Sequence, residues 1–132
     1  MTPELTLLTW TLVLALVQIF AAAGARTRQY GAAWNTGPRD EVLPPLNPVA
    51  GRLVRAQANL FETLPLFIAA VLMAHVAGKE GGQTTLGAGL YLAGRLVYVP
   101  LYALGVPVVR SIAWGVALVG LLLILARLIG IA

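Results

Sequence analysis

Four apolar runs, each about as long as a bilayer is thick, leave this chain little freedom in what it can fold into. A helix that crosses a membrane needs roughly 20 mostly apolar residues. The chain supplies such runs at about 5–25, 48–77, 84–104 and 108–129. In hydrocarbon every backbone N–H and C=O must be satisfied within the segment, so runs of this kind become helices. The single long connection, 26–47, carries Gly31, Gly37, Pro38, Pro44 and Pro45, with Pro48 just beyond, and is expected to be neither helix nor strand. Gly78-Lys-Glu-Gly-Gly-Gln83 reads as a polar turn, and Gly105-Val106-Pro107 separates the last two runs. No repeat or second domain is visible. The expectation is one all-α domain over residues 1–132, a bundle of four transmembrane helices.

Composition agrees with a membrane protein. Only 11% of the residues are charged, and 59% are hydrophobic, against about 25% charged in a soluble domain. The net charge is +4, but no alternation of basic and aromatic residues on a polar surface accompanies it, so no nucleic-acid partner is expected. There are no cysteines, which removes disulfides, thiol catalysis by the chain itself and Cys-based metal sites. His75 stands alone, and no metal site is expected. The small residues Ala21–Ala25 resemble a cleavage site. However, the preceding segment holds Glu4 and no Lys or Arg, and its apolar run is longer than a leader's, so it is read as a retained span. Arg26, Arg28, Arg39, Arg52 and Arg55 gather around the long connection. By the positive-inside bias that connection is cytoplasmic and both termini lie on the far side. Trp10, Trp34 and Trp114 read as interface anchors.

Polar residues inside the spans carry the functional signal. Arg52, Arg55, Asn59 and Glu62 follow one another at spacings of three, four and three, which places them on one helix face. Ionisable groups at membrane depth cost about 2.5–3.5 kcal/mol each on insertion scales, so they face protein or a watery cavity and mark function. Tyr91, Arg95, Tyr98 and Tyr102 form a second stripe on the third span, and Arg110 and Ser111 follow the break. Two cations, an amide and an anion in a row suit a small zwitterion. A guanidinium fork suits carboxylates and stabilises a nearby thiolate. Plainer readings stay open at this point: Arg52 as a headgroup anchor, Arg55 with Glu62 as a structural pair, Asn59 as a link between helices, and Tyr91 as a packing residue.

Arg55-Ala-Gln-Ala-Asn59-Leu-Phe-Glu62-Thr-Leu-Pro65-Leu-Phe67 resembles the signature of the MAPEG family, the membrane-associated proteins in eicosanoid and glutathione metabolism. Gly94-Arg95-Leu-Val-Tyr98-Val-Pro-Leu-Tyr102, followed by Arg110, is similar to that family's third-helix pattern, and the Pro44-Pro45 turn suits it. The resemblance covers essentially the whole chain, and its small size and short loops look like those of a bacterial member. The spacing from Tyr102 to Arg110 departs from that of a well-studied synthase branch, and Thr63 stands where that branch has tyrosine.

The resemblance implies a homotrimer with glutathione bound between neighbouring subunits as co-substrate; for a bacterial member the membrane is the inner one, and the charge bias then makes both termini periplasmic. Arg55, Asn59 and Glu62 would hold the tripeptide with help from Gln57, Glu62 taking its amino group. Arg26 would lie near the ligand, Tyr98 and Tyr102 would reach it from the neighbouring subunit, and Arg110 would stabilise its thiolate, with Ser111 a second candidate. Arg52 and Arg95 are further candidates on the two stripes. The activity implied is a glutathione-dependent transferase or peroxidase acting on lipophilic small molecules from the bilayer. A small four-span transporter and a noncatalytic protein of the same fold are the alternatives.

Overall fold

The computed structural model describes residues 1–131. It contains five helices: α1 (Pro3–Tyr30), α2 (Ala32–Thr36), α3 (Pro48–Val76), α4 (Gly82–Ala103) and α5 (Pro107–Ile129), with no strand among the described residues. Four of these, α1, α3, α4 and α5, are long and apolar enough to cross a membrane. The ends follow local chemistry. Thr2 caps α1, its hydroxyl accepting from the Leu5 N–H at 3.3 Å, and Pro3 occupies the first turn, where its missing N–H costs nothing. Asn47 caps α3 in the same way, its Oδ1 accepting from the Ala50 N–H at 2.9 Å. Gly31 ends α1 with a φ of 96°, a backbone that side-chain-bearing residues rarely adopt.

Two expectations for the first half of the chain are corrected. The first helix does not stop near residue 25 but runs on to Tyr30, so Arg26 and Arg28 are helical. Arg, Thr and Gln lack the Gly and Pro that stop helices, and the stop comes at Gly31. Nor is 26–47 free of helix, since Ala32–Thr36 forms the short α2 between two glycines. The remainder of the connection is tied back to α1. Tyr30 Oη donates to the Pro44 carbonyl at 2.6 Å, Gln29 Nε2 donates to the Pro45 carbonyl at 3.0 Å, and Gln29 Oε1 accepts from the Asn47 N–H at 2.7 Å. The start of α3 is thereby held beside the end of α1.

The core joins all four long helices through Leu8, Leu60, Leu64, Phe67, Val71, Leu121 and Ile124. Tyr91 belongs to it, its ring stacked on Phe67 with centroids 4.0 Å apart. The tightest pairing is between α4 and α5. A Cβ on Gly94 would come within 2.7 Å of the Ala113 carbonyl, and Gly87 and Gly120 face each other even more closely. Only hydrogen fits there, and this brings the ends of α4 and α5 together at the site. A group of polar side chains lies at each end of the bundle. At the far end Glu4 accepts from the Thr85 hydroxyl, and Glu80 accepts from the Thr2 hydroxyl at 2.7 Å and meets His75 Nδ1 at 3.0 Å. Burial works to raise Glu80, but the bonds from Thr2 and His75 outweigh it and hold the carboxyl below its usual 4.5.

Candidate functional site

The other end carries two adjoining chambers that share one residue, Arg110. The first, of about 180 Å³, is lined by Arg52, Arg55, Tyr102, Gly105, Pro107 and Arg110. It lies where the first turns of α3, the last turn of α4 and the start of α5 converge. Arg55 Nε donates to the Tyr102 hydroxyl at 3.1 Å, and the Arg110 guanidinium stands 4.5 Å from the centre of the Tyr102 ring. Tyr102 therefore separates two cations with its ring and its hydroxyl. Arg52 Nη1 donates to the Ala103 carbonyl at 3.4 Å, and its guanidinium packs where a side chain on Gly105 would sit. With φ of 74°, Gly105 also supplies the left-handed turn between α4 and α5. Three guanidinium groups line this space and no carboxylate does.

The second chamber, of about 210 Å³, is lined by Asn59, Tyr98, Arg110, Ser111 and Trp114. Asn59 stands a turn deeper on α3 than Arg55. Its Oδ1 accepts from Arg95 Nη1 at 2.7 Å. Arg95 is 0% exposed, and its guanidinium lies 4.2 Å from the centre of the Tyr98 ring. Its Nε and Nη2 have no partner within the chain. Ser111 Oγ donates to the Pro107 carbonyl at 3.3 Å, a local helix bond.

The two stripes read in the sequence thus converge at one end of the bundle. Arg52, Arg55, Asn59, Tyr98, Tyr102, Arg110 and Ser111 line the two chambers. Arg95 is one layer behind them. Glu62 is exposed, lines neither chamber and lies within electrostatic reach of Arg95. Gln57 and Arg26 are placed elsewhere. Gln57 lies roughly 200° around α3 from both Arg55 and Asn59. Arg26 is half-buried on α1, its Nε without a partner within the chain. Within one chain Tyr102 stands beside Arg55, and Tyr98 lines the same chamber as Asn59.

Sequence reasoning missed three lining residues. Trp114 was read as an interface anchor, yet it walls the second chamber. It lies four residues after Arg110, hence on the same helix face, and that spacing was a usable signal. Gly105 and Pro107 were read only as a helix break, and they line the first chamber as well.

An all-helical four-span membrane protein with a cation-lined, tyrosine-walled chamber at one end is the class that fold and site define. The chain belongs to the MAPEG family, whose family model matches residues 7–130 of its 132. No curated protein and no solved structure matches the chain significantly.

Proposed function

We propose that this protein is a glutathione-dependent membrane transferase or peroxidase acting on lipophilic electrophiles or lipid hydroperoxides. The observation that carries this reading is the Arg52–Arg55–Arg110 chamber, three guanidinium groups around about 180 Å³ with no lining carboxylate. Such a space recognises carboxylates, and glutathione carries two. Members of the family are often glutathione-related transferases or peroxidases, which supports the same choice. Arg52 and Arg55 bind the peptide's carboxylates, Glu62 takes its ammonium group, and Arg110, bordering both chambers, holds the sulfur as thiolate. An adjacent fixed cation lowers a thiol's pKa because it favours the charged form.

In conjugation the thiolate attacks the electrophilic carbon, a C–S bond forms, and the leaving group departs with its electron pair or the adduct takes up a proton. In peroxide reduction the thiolate attacks an oxygen, the O–O bond breaks, and the alkoxide is protonated to the alcohol. The resulting sulfenic acid then condenses with a second glutathione to give the disulfide and water. The chain has no thiol of its own, so the sulfur in either route is the ligand's. The electrophile arrives from the bilayer. The setting we propose is a bacterial inner membrane with both termini periplasmic, and the working unit is a homotrimer in which Arg26 and Gln57 serve the site of the adjoining copy.

Retention on immobilised glutathione tests the binding half. Arg55→Ala or Glu62→Ala weakens retention, and unaltered retention rejects the site. Turnover tests the chemical half. Arg110→Ala lowers kcat by about a hundredfold, the scale for removing a preorganised charge partner, while changing binding less. If it altered only binding, Arg110 would not be the thiolate's partner.

A further inference from the structure

Asn59 stands between buried Arg95 and the second chamber. Arg95 Nη1 lies 2.7 Å from the Asn59 amide. A guanidinium has donors and no acceptor, so the amide atom that faces it is the oxygen, whichever way a side-chain amide is drawn. The NH2 end is therefore turned from Arg95, on a side chain that lines the chamber. Arg95 is itself 0% exposed and lines neither chamber, and its hydrogen bond toward the ligand space is the one to Asn59. The Tyr98 ring packs against its guanidinium at 4.2 Å. Within the chamber Arg110 supplies further donors, no carboxylate is present, and the one side-chain carbonyl is already occupied. Such a cavity favours an anion.

We propose that Arg95 is a positioning residue: by engaging the Asn59 carbonyl it turns the Asn59 NH2 into the chamber as a second donor, beside Arg110, for the anionic sulfur of the bound thiol. This rests on the glutathione reading above. It assigns Arg95 no ligand contact and gives Asn59 a defined polarity. A donor placed on a charged acceptor before that acceptor arrives is worth more than one that must reorient.

Asn59→Asp separates this from a structural role. Aspartate keeps the shape and offers Arg95 a better partner, but it replaces the inward NH2 by an anionic oxygen. Glutathione is titrated into the purified full chain while thiolate ultraviolet absorbance and melting temperature are followed. The expected result is thiolate formation weakened by about tenfold or more, with the melting temperature unchanged or raised. Arg95→Lys, which keeps a donor, recovers more signal than Arg95→Met. Equal thiolate formation by Asn59→Asp and the unaltered protein overturns the proposal and leaves the glutathione reading intact. No binding of glutathione by the unaltered protein overturns both. Should Asn59→Asp not fold, Asn59→Ala decides. Adding Arg95→Met to it changes thiolate formation no further if Arg95 works only through Asn59, and a further tenfold loss overturns the proposal.

Discussion

At the scale of single residues, Tyr102 shows how one side chain organises several charges. Its hydroxyl accepts from Arg55 Nε, and its ring lies under the Arg110 guanidinium. The two functions are separable. Tyr102→Phe keeps the ring beneath Arg110 and removes the partner of Arg55. A hydrogen bond to a charged group contributes about 1.5–3 kcal/mol. Part of that is recovered by water, because Arg55 is exposed. The expected outcome is roughly a tenfold rise in KM for glutathione with kcat nearly unchanged, measured by steady-state conjugation of a chromogenic electrophile. A fall in kcat alone would mean that the hydroxyl acts on the sulfur rather than through Arg55. The same scale shows what was legible beforehand. Helical spacing put Arg52, Arg55 and Asn59 on one stripe and Tyr98 and Tyr102 on another, and the cost of ionisable residues in an apolar run marked the stripes as facing protein or water. It could not separate Arg95, which stands behind the chamber, from Tyr98, which walls it. Both lie on the same stripe, and three residues apart on a helix is a small rotation.

At the scale of elements, the pairing of α4 with α5 determines whether a site exists at all. Tyr98 and Tyr102 ride on α4, Arg110, Ser111 and Trp114 on α5. They converge because Gly87 meets Gly120 and Gly94 meets Ala113 and Ala117 with no room for a side chain. The obstacles are backbone atoms, which cannot rotate away. Gly120→Leu therefore forces the helices apart, at about 1–3 kcal/mol for overpacking. A lower melting temperature is expected, together with weaker glutathione retention. Gly115→Leu is the control, since nothing lies within 4 Å of a Cβ there, and a change within about 0.5 kcal/mol is expected. Equal melting temperatures for the two variants would show that close approach of α4 and α5 is not required. Four helices and their order were readable from apolar run length alone. The extension of α1 to Tyr30 and the existence of α2 were not. There the apolar run has ended, and hydropathy no longer reports on helix while Ala, Arg and Gln still favour it.

At the scale of the whole molecule, the two faces of α3 give the proposed trimer a test. Arg55 and Asn59 point to chambers completed by α4 and α5 of the same chain. Gln57, on the opposite face, cannot enter those chambers, and Arg26 on α1 is half-buried with an unpartnered Nε. If all four residues bind one ligand, as we propose, Arg26 and Gln57 belong to a site completed by the next copy. This makes a prediction that no single-chain site can meet. Arg26→Ala and Arg55→Ala chains, each expressed alone, form only defective sites. Co-expressed in equal amounts in a ring of three, they place an intact Arg55 against an intact Arg26 at about one interface in four. Turnover of the mixed preparation should return to roughly that fraction of the unaltered protein's, measured on oligomers purified through tags on both chains and corrected for the forms so selected. Were both residues to serve the same chain's chamber, every site in the mixture would still lack one arginine and no turnover would return. Recovery after simply mixing the separately purified proteins, without co-expression, should be smaller and should grow only as fast as subunits exchange. That rate measures how firmly the apolar helix faces of one copy hold the next.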